Sequence, residues 1–299
     1  MNRPSRTELA AQRFPSRTAN RLLMGLLAVI AAGHLMVAQS VQRTTQSSIE
    51  PSADLSDFQA VEFRRYTIKQ GEREHFAQYF DTYFPEALQE LGTIVAGDFF
   101  ERKNPSGFTW IRGFHTLEDR AVVNAQFYAG SVWKEHKKTM NDLIVDSDNV
   151  MLLRPLSPER GIPILPAVDP IVEVNGAQGI VVAQIFAVKA DSVEAFAKAA
   201  EPTFASYRAA GVREAGVLVT LDVPNNYPQL PIRTDGPFLV WLGVLKDNQM
   251  LEIDFNPLAE RSLQSLSATG LIRGHPSRSF STPPAARACA GCPDDRDQT

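Results

Sequence analysis

Cysteine is almost missing from this chain. Its 299 residues hold two, Cys289 and Cys292, both in the C-terminal tail. No disulfide framework can therefore hold the folded part together. Surplus positive charge is missing as well. Thirty Lys and Arg stand against 34 Asp and Glu, for a formal net charge of −4, and nucleic-acid binders usually carry a basic stripe. Nucleic acid is thus not an expected partner. Histidine occurs five times, with no pair at a zinc-type spacing and no facial triad with a carboxylate. No Gly-rich phosphate loop and no G-x-S-x-G occur either, so serine-nucleophile chemistry has no footing. No metal site is expected.

What is present is ordinary globular material, 44% apolar and 21% charged. Arg13, Arg17 and Arg21 precede an uncharged run, LLMGLLAVIAAGHLMVA at 22–38. A basic flank, a short apolar segment and then small residues make the layout of an export signal, with cleavage before Val41. The alternative is an uncleaved membrane anchor of about the minimum spanning length. The expected organisation is signal or anchor at 1–40, linker at 41–58, a first repeat at 59–156, a Pro-rich linker at 157–177, a second repeat at 178–281 and a flexible tail at 282–299. The tail's Cys-x-x-Cys sits among prolines, not at a helix start where redox motifs stand.

The pattern at 60–68, AVEFRRYTI, alternates Val61, Phe63, Arg65 and Thr67 with Glu62, Arg64, Tyr66 and Ile68, as a strand does. Apolar residues at helical spacing fill 71–91, with Pro85 kinking or dividing the helix and Gly92 stopping it. Strands are predicted at 93–102 and 108–114 around an Asn-Pro-Ser-Gly turn. A helical region, broken near Gly130, runs from its capping Thr116 and Asp119 to about 143, and a strand covers 148–154. The same order returns: a strand at 179–189, a helix capped by Asp191 or Ser192 and interrupted by Pro202, strands at 212–221 and 237–245 around a long loop, a broken helix at 248–265 reset by Pro257, and a strand at 271–280.

Matched landmarks support an internal duplication: Gly92 and Gly97 beside Gly211 and Gly216, Lys69 beside Lys189, Trp110 beside Trp241. The predicted class is α+β, two tandem ferredoxin-like repeats of order β-α-β-β-α-β with antiparallel sheets and helices on one face. Two such sheets pack face to face or join edge to edge into a barrel, making a pseudo-dimer within the chain or a homo-oligomer. The faces opposite the helices are then buried, and an interior pocket is expected there.

Several motifs of the first repeat resemble the NIPSNAP family of the dimeric α/β-barrel superfamily. They are Glu62-x-Arg64-x-Tyr66-Thr67, Phe108 to Phe114, Phe127-Tyr128-x-Gly130-x-Val132-Trp133-Lys134-x-His136, and Asp148 to Pro155. Ser131 stands where the family often has proline. The resemblance implies a ferredoxin-like α/β barrel of undefined biochemical activity. Related barrels include cofactor-independent monooxygenases and haem-binding enzymes, an association of fold alone.

Strand alternation places Glu62, Arg64 and Tyr66 on one face and Trp110 and Arg112 on one face of a neighbouring strand. If the faces coincide, an arginine fork, a phenol and a flat indole converge as a ligand-binding site, one suited to a small aromatic or enolisable acid. The competing reading is an internal ion pair, Glu62 with Arg64 or Arg112, stitching sheets together. Catalytic candidates are Arg64, Tyr66 and Arg112, with His115 or His136 as base, and His136 as a haem ligand if one is bound. Repeat two carries Gln184 for Arg64 and Gly243 for Arg112, which predicts one active half and one scaffold half. Three readings follow: a barrel that binds a small molecule or partner, an enzyme of the monooxygenase or isomerase kind, and a purely structural assembly module.

Overall fold

The computed structural model describes residues 58–162 and 179–282. The expected signal or anchor with its linker, most of the expected Pro-rich linker and the Cys-bearing tail lie outside the described residues. The first repeat runs β1 (Ala60–Ile68), α1 (Arg73–Tyr83), α2 (Pro85–Gln89), β2 (Ile94–Glu101), β3 (Gly107–Phe114), α3 (Leu117–Ala129), α4 (Ser131–Leu143) and β4 (Ile144–Pro155). The second runs β5 (Ile180–Ala187), α5 (Val193–Ala209), β6 (Arg213–Thr220), β7 (Phe238–Leu245), α6 (Asn256–Ala268) and β8 (Ser277–Thr282). The α+β class and the repeated strand–helix order are as predicted.

Local chemistry explains most boundaries. Pro85 divides the first helix by starting α2, where its missing N–H costs nothing. Thr116 and Asp119 form a reciprocal capping box at α3, each bond 3.1 Å. Gly97 and Gly216 adopt φ of 155° and 148°, a region glycine tolerates, and each sits at a register shift in its hairpin. Two expectations are corrected. Pro202 does not interrupt α5, because Phe196, Ala200, Phe204 and Tyr207 bury one stripe across it. The last strand is β8 alone. Only Ile272 bridges Val188 upstream, and Gly274 at φ 63° followed by Pro276 breaks the extended run.

The strands close into one barrel of order β1-β3-β2-β8-β5-β7-β6-β4. Within the single chain, β4 joins β6 at Leu153↔Thr220, and β2 joins β8 at Glu101↔Ser281. The edge-to-edge alternative is therefore the one realised, and it removes free sheet edges. The barrel interior is packed by Val61, Phe63, Ile111, Met151, Leu153, Ile185, Leu218, Val240 and Leu242. The cavity near the predicted site residues is lined by Tyr66, Trp110 and Arg112 on the helix-covered face, which corrects the expected location opposite the helices. Strand pleating sends Glu62, Arg64, Tyr66, Trp110 and Arg112 to the other side, under the helices.

The two helix-covered layers differ. In repeat two a single apolar cluster runs from Val188 through Trp241 to Val212 and Leu251. In repeat one the apolar layer is split. Phe76, Phe80, Phe84, Trp110, Phe127 and Met140 form one part; Ala60, Phe114, Val123 and Leu152 form the other. Charged side chains fill the gap.

Candidate functional site

The gap is centred on Glu62, which is fully buried. β1 and β3 pair with Glu62 opposite Arg112 and Arg64 opposite Trp110, so the two predicted faces are indeed one face. Arg64 Nη1 donates to Glu62 Oε2 at 2.6 Å, and Arg112 Nε donates to the same oxygen at 2.7 Å. A third guanidinium comes from α3: Arg120 Nε donates to Glu62 Oε1 at 2.6 Å. Exposure of Arg64, Arg112 and Arg120 is 2%, 1% and 0%. One carboxylate thus meets three buried cations.

Burial alone would raise the Glu62 carboxyl, but Arg112, Arg64 and Arg120 outweigh it and hold it below the usual carboxylate range. Burial would also lower the Arg64 guanidinium; Tyr66 and Glu62 more than compensate and keep it charged. Arg64 Nε donates to the Tyr66 hydroxyl at 2.9 Å. Two guanidiniums lie over the Trp110 ring, with Arg64 Cζ at 5.3 Å and Arg112 Cζ at 5.2 Å from its centroid, within cation–π range.

Glu62 does not saturate its partners. Trp110 Nε1, Arg112 Nη2, Arg120 Nη2 and both amide atoms of Asn124 are buried without a hydrogen bond. Beside them is a cavity of about 50 Å³, lined by Tyr66, Phe84, Trp110, Arg112, Phe127, Tyr128, Trp133 and Met140, among others. Burial pushes the Tyr128 phenol up to about 12, which keeps it a neutral donor. Glu62 pairs with both Arg64 and Arg112, as the ion-pair reading expects, while Arg112 and Trp110, which line the cavity, each keep an unbonded N–H group.

A larger cleft, about 660 Å³, opens beside Arg154, Thr220, Asp222 and Arg233. It is the weaker candidate despite its size. Arg233 is held by both oxygens of Asp235, and Arg154 donates to the Pro155 carbonyl, so its charge is already answered or solvated.

The histidines lie elsewhere. His115 is exposed and stacks on Phe58 with centroids 4.2 Å apart. His136 on α4 shares a 2.6 Å hydrogen bond with the Tyr79 hydroxyl and stacks on Tyr83 at 3.8 Å. It braces α4 against α1, and neither histidine lines the cavity. His75 pairs with Glu72 at the surface. No group of three His, Cys, Asp or Glu that would hold a metal occurs among the described residues.

Repeat two shows the same frame without the charged groups; Gln184 remains, buried, with Nε2 donating to the Tyr207 hydroxyl at 3.3 Å and Oε1 unbonded. Val182 pairs with Gly243, and Gln184 with Trp241, the positions of Glu62–Arg112 and Arg64–Trp110. Asp247 caps its helix as Thr116 does, bonding Met250 N at 2.9 Å, and the next residue is Leu251 where repeat one has Arg120. A side chain at Gly243 would meet Trp241 Cζ3 at 2.7 Å, so the indole occupies the space an arginine would need. Trp241 is fully buried and its N–H is answered by Glu214 Oε2 at 3.0 Å.

Sequence reasoning missed Arg120, Asn124, Tyr128, Asn225 and Asn226 as members of this site. Arg120 carried a signal: with Val123, Asn124 and Phe127 it forms the buried stripe of α3, an unusual place for a charge. Asn225 and Asn226 carried none. They arrive from the long β6–β7 loop and accept from Arg120 Nη1 at 3.0 and 2.6 Å.

Fold and site together define an α/β-barrel protein of two fused ferredoxin-like repeats with one polar, helix-covered site. No protein-family model matches the chain, and no curated protein does. Among solved structures it is similar to an anthrone oxidase-like protein, at 12% identity over 76% of this chain and 92% of that one, with a TM-score of 0.48. A candidate monooxygenase from Lactobacillus acidophilus shares 14% identity over 75% of this chain and 93% of that one, at a TM-score of 0.47. An uncharacterised NIPSNAP-like domain protein from Burkholderia xenovorans shares 26% identity over 38% of this chain and 98% of that one, at a TM-score of 0.33.

Proposed function

We propose that the chain is a NIPSNAP-like α/β-barrel protein that binds one small molecule between the sheet and the helices of repeat one. The observation that carries this reading is the asymmetry of the two halves. Repeat one keeps unpaired buried donors beside a cavity; repeat two closes the same place with Trp241 over Gly243. Buried donors left unbonded cost stability; repeat one carries two, on Trp110 and Arg112, in residues that line a cavity, whereas the unbonded atom at the matching place in repeat two is an acceptor, Gln184 Oε1. The family assignment rests on the motifs of repeat one.

Binding is favoured over catalysis by the cavity's chemistry. Its lining holds no carboxylate and no histidine, the commonest general bases. Haem fits the site poorly, because no His or Cys lies in that lining and the space is far too small. Export belongs to the same proposal, and N-terminal sequencing of the mature chain should start at Val41. The binding test is calorimetric titration with 2-naphthol and 2-naphthoate. One site per chain is expected for at least one of them, lost in Ile144→Trp, which fills the cavity rim, with the melting temperature kept. No heat from either compound would sink the reading.

A further inference from the structure

We infer that the ligand of this pocket is a small molecule with an oxyanion head on a flat apolar body, of the class of aromatic carboxylates and phenolates. The head is anchored by Arg112 Nη2 and Trp110 Nε1. This inference rests on the reading of repeat one as the binding half.

Charge comes first. Three guanidiniums contact one carboxylate, and all four groups are at most 2% exposed. Buried charges are normally paired, and an unanswered one is costly. Asp98 stands on the same sheet face beside Trp110 but leaves the indole N–H unbonded. The surplus at the cavity is positive, so the ligand brings negative charge.

Donor geometry narrows the head group. Arg112 spends Nε on Glu62 and keeps Nη2 for the cavity, while Trp110 adds a second N–H. The cations over its ring draw electron density and strengthen that N–H as a donor. Two unbonded N–H donors, with the Tyr128 hydroxyl nearby, suit the one or two oxygens of a planar oxyanion.

The walls determine the body. Apart from those donors the lining is aromatic or aliphatic, which suits a flat ring. A cavity of about 50 Å³ holds a group the size of one or two waters, enough for the head alone. The ring enters by displacing Tyr128 and Trp133, the half-buried aromatics on the helix side of the lining, whereas Phe84 and Phe127 are locked in the core. Trp133 stands in the first turn of α4, whose fully buried residues, Met140 and Leu143, lie at its other end. That first turn is therefore the part able to lift.

Calorimetry on the full chain separates the components. Sodium 2-naphthoate, the neutral isostere 2-naphthamide and sodium acetate are titrated into the wild type and Trp110→Phe. The expected result is binding of 2-naphthoate about tenfold or more tighter than of 2-naphthamide, as for loss of a charged hydrogen bond. Trp110→Phe, which keeps every contact of Glu62, should weaken 2-naphthoate about tenfold and 2-naphthamide by less, since a neutral carbonyl gains less from the lost N–H. Equal affinity for naphthoate and naphthamide would overturn the anionic head while leaving the small-molecule pocket standing. Acetate binding as tightly as naphthoate would overturn the flat body. No binding by any of the three would overturn both the inference and the pocket.

Discussion

Trp110 and Trp241 stand at matching positions of two hairpins, and their indole N–H groups have opposite fates. Trp241 donates to Glu214 Oε2 at 3.0 Å, whereas Trp110 Nε1 is buried with no acceptor. The acceptor is missing for a local reason. Glu214 precedes the bulge glycine of β6 by two residues, and the matching position before Gly97 is Val95. The same frame thus satisfies its indole in one half and leaves it available in the other.

Glu62 should be the most sensitive residue of the layer. Glu62→Gln removes the one negative charge that three buried arginines share. Loss of one partner from a buried ionic cluster costs about 3–5 kcal/mol. Urea denaturation should show that loss, and a variant as stable as the wild type would mean the arginines are compensated elsewhere.

Acid should destabilise the fold through the same carboxyl. Glu62 is held below the usual range in the folded chain. The unfolded chain takes up its proton near pH ~4.3, and the folded one only at lower pH. Stability from this group is therefore complete above that value and is lost as pH falls below it. Denaturation midpoints between pH 3 and 6 should fall less steeply in Glu62→Gln than in the wild type.

At the alkaline end Tyr128 should behave in the opposite sense. Burial raises its pKa to about 12. An ordinary tyrosine ionises near pH ~10, so the folded chain keeps this proton longer than the unfolded one. Stability from Tyr128 is present below that pH and declines above it. Ultraviolet titration should show one late-ionising phenol that Tyr128→Phe removes.

The β6–β7 loop of repeat two should be coupled to repeat one. Asn225 and Asn226 accept from Arg120, and Asn226 Nδ2 donates to the Leu117 carbonyl. Asn226→Ala should cost about 1–3 kcal/mol. In a double-mutant cycle with Arg120→Met the two effects should fall short of additive, since they remove one shared contact.

Gly243→Ala tests the plugged half. The new Cβ would crowd Trp241 Cζ3 at 2.7 Å and Val212 Cγ1 at 3.0 Å. Overpacking of this kind costs about 1–3 kcal/mol. Thermal unfolding should report it, with ligand binding in repeat one unchanged.

Period and punctuation carried the fold. Alternation at 60–68, the glycines at 92, 97, 211 and 216 and the cap at Thr116 act within a few residues, so they were legible in the sequence. They determined the two repeats, their strand order, and that Glu62, Arg64 and Tyr66 share a face. The loss of arginine from the second repeat was legible too. Only the tertiary structure decided which way that face turns. Closing the barrel within one chain put Val61 and Phe63 inside and sent Glu62 and Arg64 under the helices. Alternation assigns residues to two faces but cannot say which one a distant strand will cover. Arg120, reaching Glu62 over 58 positions, and Asn226, reaching Arg120 over 106, depend on that closure, and no local pattern encodes it.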